Sequence, residues 1–309
     1  MTTSLGGILK DAPALRRVAE RYRTLRPGGG IPLLTRFAPS PTGELHLGHV
    51  AHALWLWGVA EVLGAGVLVR MEDHDQTRSR PEFERSILED IEWLGFAGEA
   101  ASTASLAGHP SDFRQSDVPG RYAEALERLA GATEVYGCTC TRAQLGPADA
   151  DRERRYPGSC RGMPRIREGR HVLRAQLPGG MITTQDLRLG QLREDPQATC
   201  GDITVRDAQG QWTYQFCVVV DDLVQGVNLV VRGEDLEHST ARQALLAQLL
   251  GRSEPVLTVH HPLITDAEGR KFSKRDRSLT VRAMRESGLS AEAIVAQAWV
   301  ASGLDVTPG

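Results

Sequence analysis

The chain has 309 residues, a formal net charge of −3 and an apolar share of 41%. That length suggests roughly two domains and allows a sizeable buried core. The charge balance excludes a bulk polycation, so any nucleic-acid contact must come from local basic patches. No uninterrupted apolar run is long enough to span a bilayer, and the first ten residues lack a signal peptide's features. A soluble cytoplasmic protein is the expectation.

In residues 1–30, Leu15, Val18, Ala19, Tyr22 and Leu25 recur with helical spacing, and Arg16, Arg17, Arg21, Arg23 and Arg26 fill other positions. This segment reads as a basic helix that touches RNA or as a solvated extension, with the second favoured. Pro27-Gly28-Gly29-Gly30 is a break. The apolar run Ile31 to Leu34 predicts a buried strand. It leads into Arg36-Phe37-Ala38-Pro39-Ser40-Pro41-Thr42-Gly43-Glu44-Leu45-His46-Leu47-Gly48-His49. Proline and glycine break regular structure there, and Val50 to Leu63 has helical composition. A strand, tight loop and helix would point free backbone N–H groups at a ligand such as phosphate. His46 and His49 can reach that same ligand.

Val67 to Met71 predicts a strand that delivers Glu72, Asp73, His74 and Asp75 to its C-terminal end, where open α/β sheets bind ligands. Such a cluster could hold an ammonium group or a metal, or cap the following helix, Pro81 to Leu94. Residues 102–110 read as a surface loop, and Tyr122 to Leu129 as a helix.

The five cysteines are Cys138, Cys140, Cys160, Cys200 and Cys217. An odd count without secretory context argues against a disulfide framework. Three clustered thiols argue for a metal, and structural zinc takes four ligands. Tyr156, His171 and Cys200 are candidates for the fourth, with histidine or cysteine favoured by donor chemistry alone. Arg165, Arg167, Arg170 and Arg174 continue a basic stretch that suits RNA or a solvated face.

Further on, Phe216 to Val220 predicts a buried strand ending at Asp221-Asp222. Val227 to Val231 predicts another, with Arg232 at its end. Leu236 to Leu250 is a predicted helix and Val256 to Ile264 a last strand, whose His260 and His261 read as packing or hydrogen-bonding residues. Ser290 is a good N-cap for a helix over Ala291 to Trp299. The lysines of the chain are Lys10, Lys271 and Lys274. Two of them in one loop of an arginine-rich chain suggest that a compact ammonium is required there, as for phosphate.

His46-Leu47-Gly48-His49 and Lys271-Phe272-Ser273-Lys274-Arg275 together resemble the HIGH and KMSKS signatures of class I aminoacyl-tRNA synthetases. Arg36 to Gly43, Arg70 to Asp75, Val218 to Asp222 and Val231 to Asp235 resemble the glutamyl branch of that family. The likeness runs from about Leu33 to about Asp276. It implies an α/β fold: a Rossmann-like parallel sheet split by a zinc-containing insertion, with a short helical tail. The expected divisions are an extension at 1–30, the first catalytic half at 31–118, the insertion at 119–211, the second half at 212–276 and the tail at 277–309.

The resemblance also implies roles. His46, His49, Lys271 and Lys274 would bind ATP, with His46, His49 and Lys274 catalytic and Mg2+ accompanying the nucleotide. Arg36, Phe37, Ala38, Pro39, Ser40, Glu72, Tyr214 and Arg232 would line the L-glutamate pocket, Glu72 at the α-amino group and Arg36 at the side-chain carboxylate. Cys138, Cys140, Tyr156 and Cys160 would hold structural zinc, the likeness favouring Tyr156 as fourth ligand. Members of the branch without a large anticodon-binding region attach glutamate to the queuosine base of tRNA(Asp), which is the activity expected here, carried out by a monomer. Charging of tRNA(Glu) by a shortened core and a non-catalytic glutamate- or RNA-binding role are the rival expectations.

Overall fold

The structure, a computed structural model, describes residues 9–27, 30–145, 155–166, 169–264 and 280–305. The first helix, α1 (Pro13–Leu25), is not a solvated tail. Its Leu15 and Val18 are fully buried against α2 (Leu47–Leu63), and Gly58 of α2 lies where a Cβ would strike the Leu15 side chain at 2.5 Å. The arginines of α1 occupy the face turned from this contact, so the amphipathic pattern reports packing.

Strand β1 is Leu34–Phe37, three residues later than the apolar run suggests, and Ile31 is 55% exposed. It pairs in parallel with β2 (Gly66–Val69). The helix α3 (Pro81–Trp93) follows, and then α4 (Pro119–Ala132). An antiparallel sheet combines β3 (Val135–Cys138), β4 (Val172–Ala175) and β7 (Ile203–Arg206) in the order β3-β4-β7. The intervening hairpin β5 (Ile182–Asp186) and β6 (Gly190–Glu194) joins another sheet instead, ordered β6-β5-β9-β8. Here β8 (Leu229–Gly233) and β9 (Leu257–His261) run parallel to each other, and β5 runs parallel to β9. Asn228 ties this sheet to β1: its N–H donates to the Leu34 carbonyl at 3.1 Å, and its Oδ1 accepts from the Leu34 N–H at 2.9 Å.

The segment Tyr214–Val224 is a helix, α5, and not the turn and strand that its valines suggest. Its helical period is masked because Phe216, Val219 and Val220 on one side and Val218 on the other are all buried. Burial on every side overrides the β-preference of three consecutive valines. The helical turn brings Tyr214, Val218, Asp222 and Gln225 to one side, at spacings a strand would have split. Beyond β8 the chain makes a 3-10 turn, Glu234–Ser239, before α6 (Thr240–Leu249). Near the end lie α7 (Val281–Glu286) and α8 (Ala291–Ser302). Ser290 caps α8 as expected, its side chain accepting from the Ala293 N–H at 3.3 Å. The C-terminal ends of β1, β2, β8 and β9 converge, as the parallel sheet requires.

Candidate active site

The loop after β1 enters α2 through two imidazoles. His46 Nδ1 accepts from the Gly48 N–H at 3.1 Å, and His49 Nδ1 accepts from the His46 N–H at 3.1 Å. Free backbone amides were the expectation for this turn; these two are already engaged by side chains. An Nδ1 that accepts carries no proton, so each neutral ring has its N–H at Nε2. The rings lie 3.8 Å apart and border a cavity of about 470 Å³, which Arg232, Asp235, His52 and His261 also line. Both imidazoles are therefore fixed by the helix's own first turn.

A buried lattice of opposite charges stands beside this cleft. Arg36 Nε donates to both Asp222 oxygens at 3.2 and 3.3 Å. Arg70 Nη1 donates to Asp222 at 2.8 Å and to Gln225 at 2.9 Å, and its Nη2 donates to Glu72 at 2.9 Å. Burial pushes Asp222 toward protonation, but Arg36 and Arg70 outweigh it and hold the carboxyl below its ordinary range. Asp221, its neighbour in α5, is used up differently. It accepts from Gln115 at 2.8 Å, Arg121 at 2.7 Å and the Tyr122 hydroxyl at 2.9 Å, which ties α4 to α5. The Pro39 carbonyl accepts from the Glu72 N–H at 3.0 Å, which ties the loop after β1 to the end of β2. Phe37 is buried, Ala38 and Ser40 are half-buried, and Phe37 stacks on His52 at 5.8 Å. Tyr214, at the start of α5, sits near Glu72 and Arg232; burial and the Glu72 charge raise its hydroxyl's pKa.

Arg232 is held in another way. Its Nε donates to His260 Nε2 at 3.0 Å, Nη1 to Gln243 at 2.6 Å and Nη2 to the Thr240 hydroxyl at 2.7 Å. These acceptors are neutral, yet Arg232 is 4% exposed. It borders the large cleft and a second cavity of about 290 Å³ that Asp222, Thr240 and Gln243 also line. Asp222 and Tyr214 act on its charge from nearby, but none of these three acceptors is a carboxylate.

His52 and His261 link the cleft's walls. His261 Nδ1 donates to the Pro262 carbonyl at 2.9 Å, so its Nε2 must accept, and His52 Nδ1 donates to it at 2.9 Å. Burial lowers both pKa values, His261 to about 4. His260 and His261 are thus hydrogen-bonding residues, as their place in an apolar strand suggests.

The thiols of Cys138, Cys140 and Cys160 have their sulfurs within 4.8 Å of one another and can hold a metal ion. Tyr156 lies with them, buried, its hydroxyl accepting from the Cys160 N–H at 2.9 Å. Gly201, at φ +70°, lets the chain press onto the Tyr156 backbone, where a Cβ would meet the carbonyl oxygen at 2.2 Å. Arg174 covers the Tyr156 ring at 3.8 Å. The other two candidates point elsewhere: Cys200 donates to the Pro196 carbonyl at 3.0 Å, and the His171 ring bonds to the Gly169 carbonyl at 3.1 Å. Burial opposes ionisation of Cys160, but donation by the Thr139 amide and Tyr156 brings its pKa down to about 7. Burial and the neighbouring sulfurs push Cys140 up to about 11. The soft, closely spaced donors fit zinc.

Lys271 and Lys274 lie outside the described residues. The chain on the far side of that loop is pinned to the histidine turn, since the Val281 N–H donates to the Leu45 carbonyl at 2.8 Å. Reasoning from the sequence assigned no role to Arg70, which it placed in the stretch resembling the glutamyl branch, and did not single out His52 or Asp186. Arg70 had a readable signal, because alternation along a strand that delivers Glu72 places Arg70 on the same face.

A cleft at the ends of parallel strands, bordered by paired histidines at the entry to a helix, is the arrangement of a class I synthetase core. Residues 32–302 match the family model for tRNA synthetases class I (E and Q), catalytic domain, and the chain belongs to this family. Within it, the chain is 41% identical over 261 residues to the Glutamyl-Q tRNA(Asp) synthetase of Geobacter sulfurreducens, covering 82% of this chain and 79% of that one. It is 37% identical over 281 residues to the like-named protein of Nitratidesulfovibrio vulgaris, covering 87% and 86%. The crystal structure of glutamate-tRNA synthetase from Elizabethkingia anophelis superposes with a TM-score of 0.64 at 26% identity, over 84% of this chain. The chain spans 54% of that structure's length.

Proposed function

We propose that this protein activates L-glutamate with ATP and transfers it to the queuosine base of tRNA(Asp). The observation that carries this reading is the match over most of their length to relatives of that name. A glutamate carboxylate oxygen attacks the α-phosphorus of ATP, and the bond to pyrophosphate breaks. A nucleophile on the queuosine base then attacks the glutamyl carbonyl, and AMP leaves. Positioning and charge stabilisation do most of this work. The Nε2–H groups of His46 and His49 donate to the phosphates. Lys271 and Lys274 act on the same nucleotide, Lys274 on the departing pyrophosphate, and Mg2+ accompanies ATP.

The glutamate pocket is formed by Arg36, Phe37, Ala38, Pro39, Ser40, Glu72, Tyr214 and Arg232. Glu72 takes the ammonium group, and the guanidiniums take carboxylate. Cys138, Cys140, Cys160 and Tyr156 hold a structural zinc that clips the insertion at 119–211 against RNA. The protein acts in the cytoplasm as a monomer, with the catalytic halves at 31–118 and 212–276. Among the described residues no helix is long and apolar enough to cross a membrane, which is consistent with this.

Labelled glutamate offered with ATP and Mg2+ to tRNA(Asp) with and without queuosine, and to tRNA(Glu), tests the reading. Label should appear only on the queuosine-bearing tRNA(Asp). Label on tRNA(Glu) instead would make this a charging enzyme. Lys274→Ala should depress glutamate activation severely with glutamate binding nearly intact; unchanged activation would remove Lys274 from the mechanism.

A further inference from the structure

We propose that Asp186 and His260 are a positioning pair that aims Arg232, alongside Arg36, at the substrate's side-chain carboxylate and so contributes to the preference for glutamate over glutamine. The inference rests on the reading of Arg232 as part of the glutamate pocket and names what makes that residue selective.

The geometry leaves one arrangement of protons. His260 Nε2 accepts from Arg232 Nε at 3.0 Å and lies 3.1 Å from the Thr240 hydroxyl. It therefore carries no hydrogen, and the ring proton sits on Nδ1, 2.7 Å from Asp186 Oδ2. Asp186 is fully buried and held from all sides. Oδ2 also accepts from the Thr258 hydroxyl at 2.8 Å and the His260 N–H at 3.0 Å, and Oδ1 accepts from the amides of Arg188 at 2.8 Å and Leu189 at 2.6 Å. Such a carboxylate is ionised and immobile. It dictates the tautomer of His260, and the tautomer dictates whether Arg232 has an acceptor or a clashing N–H at its Nε.

Three strands share the arrangement: Asp186 ends β5, His260 lies in β9 and Arg232 in β8. The pairing of these strands holds the three side chains in line, and α6 supplies Thr240 on the other flank. Arg36 is different, since Asp222 already compensates it. Asp222 acts on Arg232 only from a distance, so a carboxylate ligand would supply a directly bonded anion, whereas a neutral amide would not. Discrimination of this kind depends on the guanidinium being fixed, because a mobile one could turn away and tolerate the amide.

The test is amino-acid-dependent pyrophosphate exchange by the full chain, with glutamate and glutamine titrated separately, with and without tRNA. Asp186→Asn frees the His260 tautomer. It should raise the KM for glutamate roughly 10- to 100-fold with kcat and the KM for ATP little changed, and reduce the glutamate/glutamine preference by a comparable factor, as expected for a lost charge-assisted contact. Because a buried carboxylate with five donors can be needed for folding, two further variants separate the roles. His260→Gln offers an amide oxygen to Arg232 Nε and should keep most of the preference, while His260→Leu should lose it. Equal glutamate/glutamine ratios in wild type, His260→Gln and His260→Leu would overturn the proposal even if total activity fell. A wild-type chain that does not activate glutamate would instead overturn the reading of the pocket itself.

Discussion

Two buried guanidinium sites are solved in opposite ways. Around β1 and β2, Arg36 and Arg70 share Asp222, and Arg70 also holds Glu72, so charge is compensated inside the protein. Around β8, Arg232 has only neutral acceptors among its hydrogen-bond partners His260, Gln243 and Thr240. The first arrangement is neutralised within the protein, and in the proposed pocket its Arg36 and Glu72 also meet the substrate. The second lacks a directly bonded carboxylate, and in the proposed reading the substrate supplies one. Burial alone does not distinguish the two, since Arg36 is 6% and Arg232 is 4% exposed; the chemistry of the partners does.

The contrast is broken most forcefully at Asp222. Asp222→Asn keeps the shape but leaves two buried guanidiniums facing a neutral amide. Removing one partner from such a set costs about 3–5 kcal/mol, so the variant should show a large fall in urea midpoint, or fail to accumulate as folded protein. A midpoint within experimental error of wild type would mean that the lattice does not carry the fold.

Arg232→Met should behave in the reverse sense. Folding stability should stay level or rise, because a desolvated charge has gone. Activation of glutamate should fall by roughly 10²–10³-fold in kcat/KM, corresponding to about 3–4 kcal/mol of lost carboxylate pairing. If stability collapses while glutamate kinetics of the remaining folded protein are normal, the assignment of the two sites is inverted.

The histidine pair gives a smaller, pH-dependent contrast. His261 titrates at about 4 in the folded chain because burial disfavours its charged form, and burial lowers His52 as well. The unfolded chain therefore takes up protons first as pH falls below the ordinary histidine value of roughly 6.5, and stability is lost between there and pH 4. His261 alone contributes at most about 3 kcal/mol over that window. Asp90 opposes this: burial holds its carboxyl at about 7, so its contribution favours the folded state as pH falls from that value. His261→Gln retains an acceptor for His52, and urea midpoints measured across pH 4–7 should show a flatter slope. An identical slope would place the loss elsewhere, in His52 or His260.

Much of the candidate site's geometry was legible in the sequence, and each misreading has a physical cause. His46 and His49 were readable because proline, glycine and a following helix punctuate them locally. Glu72 and Arg232 were readable from the strands that deliver them. The helix at Tyr214–Val224 was not, because a helix buried on every side loses the polar face that announces its period. That one error hid the reason Asp221 and Asp222 differ, one facing α4 and the other the pocket. The pairing of Arg232, His260 and Asp186 is set by strand register across 74 residues, which no local pattern encodes. The burial of α1 escaped for the reverse reason: its arginines suggested a surface helix, while its apolar stripe needed Gly58 of α2 to be understood.

The thiol cluster is the mirror of Arg232, a group of donors arranged for a cation. Cys138, Cys140 and Cys160 lie within 4.8 Å of one another beside Tyr156, and burial resists ionisation of Cys140 until a metal supplies the compensating charge. Cys138→Ser should therefore lower bound zinc, read by atomic absorption on purified protein. The cluster packs in its own small core with Tyr136 and Val172. Glutamate activation should accordingly change little, while use of tRNA should weaken several-fold. Zinc at full stoichiometry in this variant would show the ligand set to be wrong. A loss of activation as large as that of Arg232→Met would show instead that the insertion and the pocket are coupled, and that the division between charge held for the fold and charge held for a ligand does not follow the two sheets.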